Sequence, residues 1–495
     1  MTGSAIDSGT LRTARPSRRA TRLQRRRVAR RKWMVAASAV ITVALGLGYA
    51  VADAYDIAPG PLSVEPVQTI RFPQAASAVA ATPLVGGVGA DKGVDEARAT
   101  ALVDKFAKAK GVGKDFSIII ADAKGDPVVE RNQGVAREPA STMKTLTAFA
   151  ATASLDMSST LDTETYLDGD TLVLKGNGDM LLGSGANDER HVNGRAGVAT
   201  LAQRTAQALK AKGVTTVSVA YDDSLFGSKR FPDTIAENNE GDDMLYAAPM
   251  SSMAIDEGRN WSGTTKPADP DVESAFPPRF ADSAAKTAES FVAQLKRQGI
   301  AVNGGIAKGE APAGKPIASV SSARLSEVMG FMLRNSDNTE AELFGRLTAL
   351  KTGQDNSPEG AAAAVKAALE KAGIDTDGLH IADCSGLSAG SRLTATTLMQ
   401  VQAKYLETGD STAPASEGLA VSGLSGTAAK RNIARSAAGL VRLKTGTLGG
   451  VTSMTGNVSR TGGGTLVFAV IVNNPDNMWE AILAVDDLVG HLPEL

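Results

Sequence analysis

Three short strings in a fixed order constrain this chain more than anything else in it: Ser141-Thr142-Met143-Lys144, Ser336-Asp337-Asn338 and Lys444-Thr445-Gly446. A serine hydroxyl is a poor nucleophile at neutral pH and needs an adjacent base. In a helix, a lysine three residues on shares the face of the serine. An ordinary lysine, with a pKa of about 10.4, is protonated and useless as a base. It must be desolvated or set beside other positive charge. Lys444 is the candidate for that second charge, and it also suits a substrate carboxylate. The fold must therefore gather three distant segments at one point.

Local pattern supports each string. Pro139-Ala140 precedes Ser141, and the apolar-rich residues 145–150 continue a helix, which places Ser141 at a helix N-terminus. Backbone N–H groups there favour developing negative charge. A serine at that position can equally be a plain helix cap, and only the ordered set gives it chemistry. Residues 440–443 lead into Lys444 as a strand, and 451–455 and 465–472 follow as further strands joined by a turn at 461–464. A helix from 478 to 488 ends the run, so these strands are expected as an antiparallel sheet edge beside the nucleophile helix. The N–H of Thr447 is the expected second oxyanion donor, paired with that of Ser141.

Two decoys carry the same letters. Ser283-Ala284-Ala285-Lys286 opens a polar amphipathic helix running to Arg297. Lys351-Thr352-Gly353 ends a helical run, where glycine is an ordinary cap. Neither has the required setting.

The three strings match the SxxK, SDN and KTG set of penicillin-binding proteins and serine β-lactamases. From about Val94 to the C-terminus the chain resembles the low-molecular-mass class C penicillin-binding proteins, the D-alanyl-D-alanine carboxypeptidase/endopeptidase family. Further landmarks are Tyr221-Asp222-Asp223-Ser224-Leu225-Phe226 and Tyr246-Ala247-Ala248-Pro249-Met250-Ser251-Ser252. Asp383-Cys384-Ser385-Gly386-Leu387-Ser388 resembles the family's loop between SDN and KTG, with Cys384 where a smaller residue is more familiar. Ser141 and Ser336 are about 195 residues apart, too far for a class A β-lactamase and suited to a family insertion of reduced size.

The resemblance implies an α/β penicillin-binding-protein/serine β-lactamase-like transpeptidase fold: an antiparallel sheet plus a helical cluster, with an inserted α/β domain between SxxK and SDN. The expected division is 1–32 basic cytoplasmic segment, 33–52 anchor or signal, 53–93 linker, 94–159 and 264–495 catalytic domain, and 160–263 insertion. It also implies a mechanism. Ser141 attacks the penultimate D-Ala carbonyl and Lys144 accepts the proton. Ser336 relays a proton to the leaving amine, and Asn338 holds Lys144 and the substrate amide. Lys444, Thr445, Gly446 and Thr447 form the strand that binds the terminal carboxylate, with Asp383 and Ser385 in support. Implied partners are peptidoglycan stem peptides and β-lactams as acylating inhibitors, with no cofactor and no metal. A β-lactamase of the same fold and a non-catalytic wall-binding scaffold are the alternatives. The insertion and the Asp383 loop speak against the first, and the intact motifs against the second.

The N-terminus bears on location. Eleven Arg or Lys residues against one acid, Asp7, fill the first 32 positions, and residues 33–52 carry no charge. An uncharged stretch of roughly 20 residues is long enough to span a bilayer. With the basic block before it, the expected topology is N-in, C-out: a membrane anchor, or a signal cleaved near Ala50-Val51-Ala52. Residues 53–93, rich in Ala, Pro, Gly and Val, read as a linker. The remainder beyond residue 32 holds 41 basic and 53 acidic side chains, which argues against nucleic-acid binding. His191, His380 and His491 form no HExxH string, and Gly176-Asn177-Gly178-Asp179 lacks the GK[ST] of a phosphate loop and reads as a tight turn. The lone Cys384 excludes an intramolecular disulfide and reads as a small packing residue.

Overall fold

The computed structural model describes the backbone of residues 18–54, 57, 93–272, 275–407 and 411–495. Most of the expected linker and residues 1–17 of the basic segment lie outside the described residues. Residues 18–54 belong to one compact unit and 93–495 to another. In the first unit, Arg18–Ala54 is a single helix whose Lys32–Ala54 part is long and apolar enough to cross a membrane.

In the second unit, the run Ile118-Ile119-Ile120 explains the main sheet. A strand buried on both faces reads as a continuous apolar run. Ile119 joins the core of the helical cluster, while Ile118 and Ile120 join the opposite core, between sheet and terminal helices. The sheet runs Ala420–Val421, Val441–Leu448, Val451–Ser459, Thr465–Asn473, Phe116–Asp122, Pro127–Arg131, with every pairing antiparallel. Glu96–Ala107 and Met478–His491 cover one face through Val103, Phe106, Val485 and Leu488. The cluster on the other face centres on Met143–Ser154, buried from Met143 to Thr152. Leu325–Asn335, Asn338–Thr352, Pro358–Lys371 and Ala395–Tyr405 surround it. The short Ala420–Val421 strand lies outside the Lys444 strand, which is therefore second from the edge.

A second, mixed sheet has the order Ala301–Lys308, Thr216–Asp222, Thr171–Gly176, Asp162–Asp168, Ala318–Ser321. Leu172, Leu174, Val217 and Val219 bury one face against Val198–Ala211 and Ser283–Arg297. Two of its strands lie beyond residue 263, so the sheet does not follow the expected boundary of the insertion. The physical reason is the strand Ala301–Lys308: it is largely exposed, contains Gly304-Gly305 and shows no apolar alternation. The turn expected at Gly176 to Asp179 is present and tightly packed. A Cβ on Gly176 would come 2.1 Å from the Ser252 carbonyl oxygen.

Candidate active site

Pro139 to Lys144 approach the Lys444 strand closely. Ser141 lies in a 3-10 turn, Ala140–Thr142, and the α-helix begins only at Met143, two residues later than the sequence suggested. Ala140 has a left-handed φ of +48°, which a regular helix cannot continue. Gly386 backs it: a Cβ there would come 2.0 Å from the Ala140 carbonyl oxygen. The Lys444 strand lies on the other side of the turn. A Cβ on Gly446 would fall 2.8 Å from Pro139 O and 3.1 Å from Ser141 N, so only glycine allows this approach.

The side chains converge accordingly. Lys144 Nζ is buried and lies 3.0 Å from Ser141 Oγ, 2.6 Å from Asn338 Oδ1 and 2.7 Å from the Ser385 carbonyl oxygen. Ser336 caps Leu325–Asn335 in a left-handed conformation, φ +63°, and Asp337 then caps Asn338–Thr352 by accepting from Glu340 N. This break between two helices puts Ser336 and Asn338 on the cleft. Lys444 Nζ donates to Ser336 Oγ at 2.8 Å and to the Thr445 carbonyl at 2.7 Å. Burial, and then the charge of Lys144, holds the Lys444 amine well below the ordinary lysine range. Thr447 is exposed, opposite Thr452, and lines the cleft with Ser141. Asp383 accepts from Ser385 Oγ and from the N–H groups of Gly386, Leu387 and Ser388, fixing the loop whose Ser385 carbonyl meets Lys144.

The cleft has a volume of about 410 Å³, and Glu237, Asn238, Glu240, Tyr246 and Phe276 form its far wall. Of these, only Tyr246 stands in a sequence landmark, and its carbonyl accepts from Asn338 Nδ2 at 3.0 Å. The others were missed; the one available signal is the polar run Glu237-Asn238-Asn239-Glu240 just ahead of Tyr246. Sequence reasoning also missed Arg259, fully inside and within ion-pair range of Asp256, Glu257 and Asp337. Burial pushes the Glu257 carboxyl up to about 8, against the pull of Arg259. Glu342, which accepts from Cys384 N, is likewise raised to about 8, by burial first and Asp383 second. Cys384 is buried, its sulfur accommodated by Gly345, where a Cβ would lie 2.2 Å from Sγ. A larger cleft of about 680 Å³ borders the second sheet, where Asp223 pairs with Arg230 and Asp282 with Lys308.

A half-buried serine touching a buried lysine, faced by a second serine–lysine contact at the mouth of a cleft, is an arrangement suited to serine-nucleophile hydrolysis. The chain belongs to the D-Ala-D-Ala carboxypeptidase 3 (S13) family, which matches residues 99–277 and 276–487. It is 33% identical over 366 residues to carboxypeptidase DacB of Mycolicibacterium smegmatis, covering 72% of this chain and 75% of the relative. It is 30% identical over 406 residues to carboxypeptidase Rv3627c of Mycobacterium tuberculosis, covering 80% and 81%. Among solved structures, penicillin binding protein 4 (dacB) from Haemophilus influenzae shares the fold with a TM-score of 0.65 at 20% identity, over 80% of this chain and 99% of that one. That protein is also known in complex with a β-lactam. The chain is thus a serine-type D-Ala-D-Ala carboxypeptidase of the low-molecular-mass class C penicillin-binding proteins.

Proposed function

We propose that Ser141 is the acylated nucleophile and Lys144 its proton acceptor, in hydrolysis of the D-Ala-D-Ala bond of peptidoglycan stems. The observation that carries this is the contact of 3.0 Å between Lys144 Nζ and Ser141 Oγ, with Lys144 fixed by Asn338 and Ser385. The Ser141 Oγ–carbonyl bond forms, the C–N bond breaks, and the terminal D-Ala leaves as its amine, protonated through Ser336. Lys444, Thr445 and Thr447 take the terminal carboxylate, and the N–H groups of Ser141 and Thr447 take the oxyanion. Gly446 acts by absence of a side chain, and Asp383 and Ser385 act through Lys144. Water then releases the acyl group. Penicillin enters the same acylation and stays bound.

The carboxylates Glu237 and Glu240 on the far wall favour a substrate with a cationic side chain. We assign the inserted domain to the second sheet, ending near Ser321 rather than 263. We further assign Lys32–Ala54 as the anchor of a type II membrane protein whose catalytic unit faces the wall. N-terminal sequencing of the mature protein tests the anchor, and a start near Asp53 overturns it. The catalytic reading has its own test: intact-mass analysis after penicillin, with D-Ala release from a dipeptide-terminated substrate. One adduct on the Ser141 peptide is expected, and an adduct persisting in Ser141→Ala overturns the assignment.

A further inference from the structure

The turn Asp256–Gly258 adopts a backbone that ordinary residues avoid. Asp256 and Glu257 have left-handed φ angles of +50° and +52°, and Gly258 follows at +70°. Non-glycine residues are sterically strained there and persist only where their surroundings hold them. The strand Met253–Ile255 just ahead of the turn pairs with Asp179–Leu182. A Cβ on Gly258 would come 2.1 Å from Ser283 Oγ, so the turn is also pressed against the helix Ser283–Arg297. Ser336 is strained in the same way, with φ +63°, and its Oγ meets Lys444 Nζ.

Arg259 joins the two strained turns. Its Nη1 lies 3.1 Å from Asp256 Oδ1, and its Nη2 lies 3.2 Å from Glu257 Oε1 and 3.4 Å from Asp337 Oδ2. The other Asp337 oxygen accepts from Glu340 N at 2.9 Å, which caps the helix that begins at Asn338. All four side chains are at most 5% exposed. Arg279 Nη1 approaches Glu257 from another segment, 2.8 Å from Oε2, and Lys266 Nζ lies 3.1 Å from Asp256 Oδ2. Asp337 and Glu340 face Glu257 from the helix start, and Asp179 stands beside Glu340. Five carboxyl groups thus meet three cations in a dry site, where they cannot all be ionised. Burial raises Glu257 to about 8 and Glu340 well above the ordinary carboxyl range. At neutral pH Glu257 therefore keeps its proton and hydrogen-bonds to Asp337.

We propose that Arg259 and Glu257 are positioning residues for acyl transfer: with Asp337 they form a buried clasp that holds the Ser336–Asn338 turn toward Lys144 and Lys444. The inference rests on the acyl-transfer reading and adds to it a support from outside the three motifs. Loss of the Glu257 proton places a further negative charge beside Asp337, breaks their hydrogen bond and loosens Ser336. Acylation then has an alkaline limit set by a residue that touches no substrate.

The test is the pH profile of penicillin acylation, followed by stopped flow on the full chain in detergent, with the unfolding midpoint measured at each pH. Glu257→Gln keeps an uncharged donor toward Asp337 and has no proton to lose. It is expected to raise the ratio of the rate at pH 9 to that at pH 7 about fivefold over wild type. Titration of Lys444 is common to both chains and cancels from the comparison. A merely structural Glu257 would move the unfolding midpoint and leave that ratio alone, and an unchanged ratio overturns the proposal. Arg259→Lys keeps the charge but lacks the planar fork. Its kcat for D-Ala release is expected to fall about tenfold with KM within about twofold, because Ser336 is displaced and the carboxylate strand is not. An unaltered kcat in Arg259→Lys likewise overturns the clasp; if that chain does not fold, the Glu257→Gln profile decides alone. A wild-type chain that takes no penicillin at Ser141 would overturn the acyl-transfer reading itself, and the clasp with it.

Discussion

Ser141–Lys144 and Ser283–Lys286 spell the same motif, and both pairs sit at or near the start of a helix. Their lysines live in different worlds. Lys144 is buried and touches Ser141, Asn338 and the Ser385 carbonyl. Lys286 is exposed and pairs with Glu289, while Ser283 Oγ donates to the Phe280 carbonyl. An exposed pair of that kind is worth only about 0–1 kcal/mol. The two KTG strings divide the same way. Lys444 lies buried in a strand against Ser336, whereas Lys351 is exposed two residues before a glycine cap with φ +73°. Spacing alone makes a pair of neighbours; packing from other segments makes a reactive one.

The comparison breaks most readily at the second pair of strings. Lys444→Ala should slow acylation by penicillin and by peptide about a hundredfold or more, while Lys351→Ala stays within about twofold. Equal losses in stopped-flow acylation would mean that the wrong string had been assigned. Next in size is Gly446→Ala. Its Cβ would fall 2.2 Å from Ser453 Oγ and press on Pro139 and Ser141, displacing the turn that carries Ser141. We expect acylation to fall roughly 10- to 100-fold, since displacements near 1 Å carry penalties of that order. Gly353→Ala, with open space around it, should affect stability alone.

Stability separates the regions further. Gly345→Ala would drive a methyl into the Cys384 sulfur, and overpacking of this kind costs about 1–3 kcal/mol, readable as a lowered urea midpoint. Unchanged stability would show that the Cys384 loop yields easily. The smallest expected effect concerns acids beside the two motif lysines. Glu342 has a folded-state pKa near 8 against an ordinary 4.5. Between those values the folded chain holds a proton that the unfolded chain has released. Its contribution to stability is therefore full below the lower value and is lost as pH rises toward the upper one. Glu342→Gln should shrink the difference in unfolding free energy between pH 5 and pH 8 by at least about 1 kcal/mol.

These contrasts also mark what a sequence can disclose. Strands such as Thr465–Asn473, buried on both faces, announce themselves as apolar runs, and the closeness of Ser141 to Lys144 was legible in their local spacing. The 3-10 turn at Ala140 was invisible because Gly386, more than two hundred residues on, enforces it. Strand Ala301–Lys308 was invisible because it buries almost nothing. Phe276, Glu240 and Arg259 were silent for a third reason: each gains its role from a neighbour remote in sequence. Chemistry that needs particular residue types was legible, and the walls that shape it were not.

The order of strands in the main sheet has a temporal consequence. Phe116 pairs with Val472, and the Lys444 strand pairs with nothing earlier in the chain than Ala420. The Ser141 segment is thus synthesised about three hundred residues before the strand it packs against, and the sheet closes only when residue 473 has emerged. Such remote pairings are slow to form and leave edges exposed meanwhile. In the acyl-transfer reading, a nascent chain carries Ser141 and Lys144 long before it can use them, and reactivity can begin only once the Thr465–Asn473 strand has emerged.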